Sequence, residues 1–381
     1  MTEPNRAELA SPAMRLVTEI VVVGAGQAGL STAYHLKRRG LEPGRGFIVL
    51  DANPEPGGAW SDRWPSLTLS TVNRIHDLPG MAFSEVVDTG DTEVQARSAV
   101  PRYFAAYEER FALNVYRPID VISVELEDTD EAGRLRVTTE RGQISARGLI
   151  NATGTWEKPY VPYYPGVEGF RGRQLHTRDY VSAAEFRGQH VVVVGAGISA
   201  IQLLDEVSQV TSTTWVSRRP PDFREGPFDE NAGRRAVAQV DERVRAGLPP
   251  LSVVSVTGLP VTPRIEAMRA RGVLKNLPMF SEVLEEGVRW ADGTEAHADV
   301  ILWCTGFRSN LDHLAPLGLR EASGGITMTG RLATQVARDP RVHLVGYGPS
   351  ASTIGANLAG GAAASELLAL LGLQGAEVGP T

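Results

Sequence analysis

Two short apolar runs, one in each half of the chain, are followed directly by glycine-rich turns. Residues 20–23 and 191–194 consist only of Val and Ile. Such β-branched runs bounded by glycine predict buried strands of a parallel sheet. After the first run, apolar residues at helical spacing predict a helix over 28–39, which Gly40 ends. The pattern therefore predicts an α/β chain in which one strand–turn unit occurs twice.

The remaining hydrophobic pattern continues this succession of strands and helices. The alternation of Leu67 and Leu69 indicates a short strand, and residues 288–299 are typical of a hairpin around Asp292-Gly293. Further strands are predicted at 47–50, 115–127, 134–139, 213–216, 300–303 and 342–348. Further helices are predicted at 100–114, 231–246, 262–271 and from residue 352 onward.

Both glycine-rich turns fit the fingerprint of a dinucleotide-binding unit. Residues 24–29 read G-x-G-x-x-G, and residues 195–200 read G-x-G-x-x-A. The first glycine permits a tight turn, the second lets the backbone approach a pyrophosphate, and the third position packs the helix against the strand. The amino terminus of the helix then faces the negative charge. Two copies in one chain predict two bound dinucleotides.

The residues that end the next strand of each unit carry opposite charges. The strand at 47–50 ends at Asp51, where an acidic side chain can accept hydrogen bonds from ribose hydroxyls. The strand at 213–216 ends in Ser217-Arg218-Arg219. A basic residue there can pair with a 2′-phosphate, which favours NADPH over NADH, and Arg218 is the stronger candidate. The alternatives are a capped turn at Asp51 and solvated arginines.

Composition and charge narrow the class of protein. The 381 residues suggest about two domains, and a hydrophobic fraction of 42% is enough for sizeable cores. The net charge of −7 argues against a nucleic-acid partner. We see no apolar run long enough for a membrane span. Residues 1–15 are polar and predict a flexible tail that is neither a signal nor a transit peptide, so we expect a cytoplasmic protein.

The single cysteine, Cys304, excludes one kind of redox chemistry. A C-x-x-C relay and an intramolecular disulfide both need a second cysteine, so a thioredoxin-reductase-like activity is not expected. Cys304 follows an apolar strand pattern and is therefore interpreted as a buried structural thiol. The seven histidines show no zinc-ligand spacing, and no metal is predicted.

A longer motif precedes the second fingerprint. Phe170, Gly172, His176 and Tyr180 spell F-x-G-x-x-x-H-x-x-x-Y. This resembles the identifying sequence of class B flavin-dependent monooxygenases, the family of flavin-containing monooxygenases. Baeyer–Villiger enzymes of the same superfamily usually carry Trp at the place of Tyr180. The resemblance extends over residues 19–364, and it implies that His176 is a structural hydrogen-bonding residue rather than a base.

The resemblance implies a fold of two Rossmann-like dinucleotide-binding domains. The FAD domain would be discontinuous, over 16–160 and 300–381, with the NADPH domain of 161–299 inserted in it. A helical insert within the NADPH domain is expected at about 220–278. The small-residue turns Thr153-Gly154 and Thr305-Gly306 resemble the linkers at which such enzymes leave and re-enter the flavin domain.

The resemblance also implies individual site residues. Gly58 and Trp60 match a second flavin contact, and Asn73 matches an Asn near the reactive edge of the flavin, with Ser70 as the alternative. A helix from Ser352 would point its amino terminus at the flavin. The full set of expected cofactor contacts is Gly24, Gly26, Gln27, Gly29, Asp51, Gly58, Trp60, Val121, Thr153, Gly154, Gly195, Gly197, Ser199, Ala200, Arg218, Arg219, Thr305, Gly306 and Gly346.

The implied activity is oxygen transfer to a small molecule. NADPH would reduce bound FAD, and the reduced flavin would react with molecular oxygen to form a C4a-hydroperoxide that oxygenates a nitrogen or sulfur nucleophile. Three alternatives stay open, namely a Baeyer–Villiger monooxygenase of ketones, an NADPH-dependent flavin reductase or oxidase, and a non-catalytic flavoprotein sensor. A homodimer is the default expectation for such an enzyme.

Overall fold

The computed structural model describes residues 15–72, 75–127, 133–225, 230–251 and 258–373. By compactness the chain divides into two units. The first unit comprises residues 1–154, 237–251 and 309–381, and the second comprises 155–236 and 252–308. Residues 237–251 therefore belong to the first unit, although they lie within the segment that the sequence places in a helical insert of the second domain.

The first unit is built on a sheet whose central strands are parallel. Strand β1 (Arg15–Val23) lies between β2 (Phe47–Leu50) and β6 (Gly142–Asn151). Val23 is in register with Leu50 on one side and with Asn151 on the other. Because all three strands run the same way, their carboxyl ends meet at one edge of the sheet, where ligands of open α/β sheets bind.

The other strands extend this sheet on both sides. They are β3 Val115–Tyr116, β4 Val121–Leu126, β5 Leu135–Thr139, β17 Met328–Thr329, β18 Gln335–Val336 and β19 Val342–Leu344. The order of the sheet is β17-β18-β19-β6-β1-β2-β3, and β4 and β5 join through antiparallel pairing of β5 with β6. The alternation along β1 puts Ile20 and Val22 into one apolar core and Val21 and Val23 into a second core on the opposite face.

Three helices cover one face of this sheet. They are α1 (Gln27–Arg38), α2 (Ala96–Arg110) and α6 (Thr353–Leu371), and all three contribute buried side chains to the core that contains Ile20. Glycines let α6 approach α1 closely. A Cβ added to Gly360 would lie 2.9 Å from the backbone nitrogen of Thr32. The two helices therefore pack closely against each other in the core of the first unit.

Helix α6 is the one described element that bears on the expectation of no membrane span. By its length and composition alone, α6 is long and apolar enough to cross a membrane. Its small residues Ala356, Ala359 and Ala363 are buried in the core of the first unit. Core helices of soluble proteins pass the same test of length and composition, so this helix is weak evidence for a membrane protein.

The second unit contains a five-stranded, fully parallel sheet. Its strands are β7 Arg173–His176, β8 Val191–Val194, β9 Thr213–Ser217, β12 Asn276–Pro278 and β16 Val300–Trp303. The order of the sheet is β12-β9-β8-β16-β7, and the central strands β8 and β16 pair along their whole length. Helix α3 (Ile198–Ser208) follows β8 directly and is mostly buried, as the apolar run and glycine turn predict.

Smaller elements complete the described part of this unit. Strands β13 (Glu282–Leu284), β14 (Gly287–Arg289) and β15 (Glu295–His297) form an antiparallel sheet whose second turn contains the predicted Asp292-Gly293. Strands β10 (Phe223–Arg224) and β11 (Leu259–Pro260) pair in parallel, and helix α5 spans Pro263–Ala270. Helix α4 (Glu230–Arg245) crosses the division between the two units.

The predicted fold class is confirmed, several element bounds shift by a few residues, and two predicted strands differ in kind. Leu67 and Leu69 do not lie in a regular strand, because only Thr68 forms an isolated bridge, to Gln95. Residues 115–127 are not one strand. β3 continues the parallel sheet beside β2, whereas β4 turns back to pair with β5. An apolar run alone does not reveal where pairing partners change, since each pairing depends on distant strands.

Candidate cofactor sites

The first glycine turn requires glycine for two independent reasons. Gly24 has a φ of +97°, in the range that L side chains rarely adopt, and its N–H donates a hydrogen bond to the carbonyl of Leu50 at 2.7 Å. A Cβ added to Gly24 would lie 2.6 Å from the carbonyl oxygen of Ala152. Gly29 is also closed to substitution, because its Cβ would lie 1.8 Å from the carbonyl oxygen of Gly24.

Gly26 is different, because the space in front of it is open. Nothing lies within 4 Å of a Cβ added to Gly26, which is the residue that precedes helix α1 and has no side-chain cap. A Cβ added to Gly58 would lie 3.1 Å from the Cα of Gly26. The two backbones thus border a gap that a side chain would fill. The open gap and the free N–H groups of the helix start fit the pyrophosphate of a dinucleotide.

Asp51 lies at the same edge of the sheet, directly after β2. Its Oδ2 accepts a hydrogen bond from the N–H of Ala25 at 2.8 Å, and its Oδ1 accepts one from the N–H of Asn53 at 2.9 Å. Burial raises the pKa of this carboxyl, whereas the backbone N–H donors and Arg117 act in the opposite direction. An acid in this position has lone pairs left for ribose hydroxyls.

Gln27 joins the start of α1 to the start of α6. Its Nε2 donates to the side-chain oxygen of Asn357 at 2.9 Å and lies 3.2 Å from the carbonyl oxygen of His76. Asn357 in turn donates to the carbonyl of Asp77 at 2.6 Å. The side chain of Gln27 therefore fixes the loop that follows residue 74 rather than standing free for a ligand.

A chain of hydrogen bonds braces the turn after β6. His313 Nε2 donates to Asn151 Oδ1 at 2.8 Å, and Asn151 Nδ2 donates to Thr153 Oγ1 at 3.0 Å. Thr153 Oγ1 donates to the carbonyl of Asn310 at 2.6 Å, and the N–H of Asn310 donates to the carbonyl of Gly154 at 3.0 Å. The backbone of Ala152 and Thr153 in this turn lies directly against Gly24. The hydrogen-bond network therefore fixes the backbone on which the first glycine turn packs.

The other residues expected in the first site lie in the same unit. Trp60 lies in a 3-10 turn with Gly58, beneath the guanidinium of Arg63. Val121 is the buried first residue of β4, and a Cβ on Gly346 would lie 3.8 Å from that of Ala28. Ser352 caps α6 by accepting a hydrogen bond from the N–H of Gly355.

The candidate for the reactive edge, Asn73, lies outside the described residues. Its alternative, Ser70, is exposed, and its hydroxyl lies 2.7 Å from that of Thr68 and 3.3 Å from Glu93. These contacts make Ser70 part of a surface hydrogen-bond cluster within the first unit.

The second glycine turn repeats the geometry of the first. Gly195 has a φ of +135°, and a Cβ added to it would lie 2.3 Å from the carbonyl oxygen of Cys304. Gly197 precedes helix α3, and nothing lies within 4 Å of its added Cβ. Ser199 lies in the first turn of α3, and Ala200 is fully buried against the sheet. The turn therefore fits a second pyrophosphate.

The strand end beside this turn carries exposed positive charge. Arg218 and Arg219 follow β9 and are both exposed. Neither guanidinium forms an ion pair within the described ranges 15–72, 75–127, 133–225, 230–251 and 258–373. The hydroxyl of Ser217 is buried and lies 2.7 Å from the carbonyl oxygen of Arg219 and 2.9 Å from Asn276 Oδ1. The hydrogen bonds of Ser217 thus fix the backbone of this segment, while the guanidinium groups of Arg218 and Arg219 remain available to an anion.

His176 and Tyr180 of the longer motif support the second unit by hydrogen bonds. His176 Nε2 donates to the carbonyl of Gly306 at 3.0 Å, and its Nδ1 accepts from the N–H of Arg178 at 3.1 Å. Burial lowers the pKa of His176, which favours this neutral form. The hydroxyl of Tyr180 donates to Glu206 at 2.8 Å. Both ring nitrogens of His176 are engaged, as a structural role requires.

The turn held by His176 also contains Cys304 and Thr305. The Thr305 hydroxyl donates to the carbonyl of Tyr160, and the N–H of Tyr160 donates to the carbonyl of Gly306 at 2.9 Å. Cys304 is buried, and burial raises the pKa of its thiol to about 12. Within the described residues, no cluster of His, Cys, Asp or Glu could hold a metal ion.

Sequence reasoning missed four residues that support the first site. They are Arg117, Glu108, Asn357 and His313, each of which reaches the site from an element distant in the chain. A polar residue next to an apolar run is an ordinary surface residue in a single sequence. No local signal distinguishes it from one that the fold buries.

Comparison with known proteins identifies relatives over most of the chain. A family model described as pyridine nucleotide-disulphide oxidoreductase matches residues 21–230. A solved flavin-containing monooxygenase from Stenotrophomonas maltophilia is 36% identical, with a TM-score of 0.77, and the match covers 93% of this chain and 99% of that one. The indole-3-pyruvate monooxygenase YUCCA1 of Oryza sativa subsp. japonica is 28% identical, over 81% of this chain and 80% of its own length.

A curated oxidoreductase named CzcO-like, from Geobacillus kaustophilus, is 26% identical over 78% of this chain and 82% of its own length. More distant relatives include a senecionine N-oxygenase and a Baeyer-Villiger monooxygenase, at 22% and 25% identity. Monooxygenases of this family use FAD and NADPH, and the two open glycine turns fit these two dinucleotides. The chain therefore belongs to the flavin-containing monooxygenases of the pyridine nucleotide-disulphide oxidoreductase family and is a flavin-dependent oxidoreductase.

Proposed function

We propose that this protein transfers one oxygen atom from molecular oxygen to a soft nitrogen or sulfur atom of a small molecule, with FAD and NADPH as cofactors. One observation carries the proposal. The chain holds two open glycine turns of the same geometry, and the strand end beside one is acidic whereas the strand end beside the other is basic. This combination suits one dinucleotide recognised through its ribose and one recognised through an additional phosphate.

The first unit is proposed to hold FAD, through the backbone of Gly24, Gly26 and Gly58 and the carboxylate of Asp51. The second unit is proposed to hold NADPH, through Gly195 and Gly197, with Arg218 on the 2′-phosphate. This assignment corresponds to an FAD domain formed by the two ends of the chain and an NADPH domain between them. Asn73 stays a proposal for the residue at the reactive edge of the flavin.

When bound, the cofactors supply the reducing equivalents and the oxygen-activating chemistry. The chain's own residues have the tasks of binding, orienting and excluding water. The free N–H groups at the start of α6 and its helix dipole would stabilise negative charge held nearby. His176 is not proposed as a base, because both of its ring nitrogens are engaged in hydrogen bonds.

Oxygenation of nitrogen or sulfur is favoured over a Baeyer–Villiger reaction. Baeyer–Villiger relatives usually carry Trp at the place of Tyr180, and the Tyr180 hydroxyl here makes a 2.8 Å hydrogen bond to Glu206 that an indole at this position would not reproduce in the same way. A panel of ketones assayed for ester products tests this alternative. Ester formation faster than oxidation of amines or thioethers would replace the main proposal.

The experiment that tests the proposal is rapid mixing of the reduced protein with oxygen. The protein is reduced anaerobically with NADPH and mixed with aerated buffer while the flavin spectrum is followed. We expect a long-lived spectrum distinct from both the reduced and the oxidised flavin, followed by oxygenated product when an amine or thioether is present. Immediate reoxidation with release of hydrogen peroxide, with and without substrates, would instead identify an oxidase or reductase.

A matched variant separates the two sites in this experiment. Gly197→Val should keep FAD, because its added side chain enters the open space of the second turn only. When both proteins are reduced with dithionite and NADP⁺ is added, wild type should keep the long-lived spectrum and the variant should lose it, if bound nicotinamide cofactor protects the flavin. A wild-type protein that binds both cofactors but never turns over would indicate a sensor.

We further propose that the protein acts in the cytoplasm as a homodimer, without nucleic-acid or membrane partners. Light scattering after gel filtration tests the dimer directly. A monomer at micromolar concentration would contradict it.

A further inference from the structure

A buried ionic cluster lies behind Asp51 in the first unit. The two terminal nitrogens of Arg117 each donate to one carboxylate oxygen of Glu108, both at 2.7 Å. The Nη2 of Arg117 also lies 3.7 Å from Asp51 Oδ2. The side chains of Arg117, Asp51 and Glu108 are only 9%, 5% and 13% exposed. They come from three different elements, namely the segment after β3, the end of β2 and helix α2.

This cluster is costly for the stability of the fold. One guanidinium faces two carboxylates, so the cluster carries a surplus negative charge out of water. Burial raises the pKa of both Asp51 and Glu108, while the nearby Arg117 lowers both. The buried Nε–H of Arg117 has no hydrogen-bond partner in the part of the chain that the structure describes. An apolar triad of similar volume would hold these elements together at lower cost, which points to a functional reason.

The position of Asp51 supplies that reason. Its two oxygens each accept one backbone N–H and are left with lone pairs at the edge of the sheet beside the first glycine turn. A protonated acid would lose acceptor capacity there. Among the described residues, the charged groups that face Asp51 are Arg117 and, behind it, Glu108.

We propose that Arg117, held in place by Glu108, is a positioning residue that keeps Asp51 ionised as the acceptor for the ribose of the bound FAD. Glu108 orients the planar guanidinium through a bidentate contact, which leaves one edge of it facing Asp51. The inference rests on the proposed assignment of Asp51 to FAD, and it adds a mechanism by which the site stays competent below neutral pH.

The test measures FAD affinity against pH on the deflavinated full-length protein, by quenching of flavin fluorescence. Wild type should bind with nearly constant affinity between about pH 6 and 8.5. In Arg117→Met combined with Glu108→Met, both partners of the bidentate pair are removed, so Glu108 is not left as a buried charge without its cation and only Asp51 loses Arg117. Without the cation the pKa of Asp51 rises further, so the variant should lose affinity as the pH falls and approach wild type as the pH rises. A rise of one pKa unit corresponds to about a tenfold loss at low pH.

Two conservative variants keep the test decisive if the double variant does not fold. Arg117→Lys retains the charge and should keep most of the flat profile. Glu108→Gln removes the competing carboxylate, so Arg117 acts on Asp51 alone and affinity should persist to lower pH than in wild type. A Glu108→Gln profile that runs parallel to wild type would overturn the inference, and so would a parallel profile of the double variant.

Asp51→Asn separates failure of this inference from failure of the cofactor assignment. The amide cannot titrate, so this variant should bind FAD weakly at every pH. Unchanged FAD affinity in Asp51→Asn would remove the assignment of Asp51 to FAD itself. Weak binding in Asp51→Asn, together with pH profiles parallel to wild type in Glu108→Gln and in the double variant, would leave that assignment intact and reject only the role of Arg117.

Discussion

The two glycine turns share their backbone and differ in what lies at the end of the next strand. At Gly24 and Gly195 a Cβ would meet a carbonyl oxygen, at 2.6 and 2.3 Å respectively. At Gly26 and Gly197 the space is open. Beyond the turns the likeness ends, because Asp51 is buried in an ionic cluster whereas Arg218 is exposed. The two units thus share the backbone geometry that fits a pyrophosphate. They differ in the residue proposed to distinguish the two nucleotides, which is Asp51 in the first unit and Arg218 in the second.

The difference in burial follows from the groups to be recognised. Ribose hydroxyls are neutral, so an acceptor for them can lie in a dry site, provided that something keeps it charged. A 2′-phosphate is highly charged, and the guanidinium of an exposed arginine is always charged and only weakly hydrated, so it can bind the phosphate without a buried partner to keep it ionised. The buried Asp51 therefore needs a neighbouring cation to stay ionised, whereas the exposed Arg218 is charged without one.

The largest expected effect comes from filling the open positions of the two turns. Gly26→Val should reduce FAD affinity at least about a hundredfold, because the added side chain occupies the gap beside Gly58, and close backbone approach to the pyrophosphate needs that space. Gly197→Val should reduce NADPH affinity by a similar factor and leave the flavin in place. Flavin content and the rate of flavin reduction by NADPH measure the two effects separately.

The closed positions provide the matched controls. Gly24→Val and Gly195→Val would force a side chain against the carbonyl of Ala152 or Cys304, so these variants should fail to fold or lose much of their thermal stability. If Gly26→Val and Gly197→Val unfold in the same way, the distinction between space for the cofactor and space required by the fold is wrong.

This distinction shows which features a single sequence can predict. The two turns, Asp51 and the arginines after β9 are encoded within short segments, where strand, glycines and strand end follow one another. The partners of Asp51 are not encoded in this way, because Arg117 and Glu108 reach it only through the pairing of β3 with β2 and the packing of α2. The strand predicted from Leu67 and Leu69 is wrong for a related reason, since the pairing of this segment with residues 92–96 is limited to one isolated bridge and a few backbone hydrogen bonds, and the local alternation does not show how far pairing extends.

A smaller effect is expected from the arginines after β9. Arg218→Ala should weaken NADPH binding about tenfold to a hundredfold, the range for losing a hydrogen bond to a charged group, and should leave NADH almost unaffected. Arg219→Ala, as the matched neighbour, should have a smaller effect. The rate of flavin reduction, measured as a function of NADPH and of NADH concentration, gives the ratio of the two affinities for each variant. Equal losses of affinity for NADPH and for NADH would show that the arginines do not bind the 2′-phosphate.

The smallest effect is expected from replacing Cys304 by the residue that lies at the matching place of the first turn, which is alanine. Cys304 occupies, beside Gly195, the place that Ala152 occupies beside Gly24, and each contributes its carbonyl rather than its side chain. Cys304→Ala should therefore leave NADPH binding unchanged and cost about 1 kcal/mol of unfolding free energy or less, from the lost packing of one sulfur. Since burial raises the pKa of the thiol to about 12, the wild-type cysteine should also resist thiol reagents until the protein unfolds. Rapid labelling of the folded protein, or a loss of NADPH affinity in Cys304→Ala, would mean that the second turn uses a side chain where the first uses only backbone.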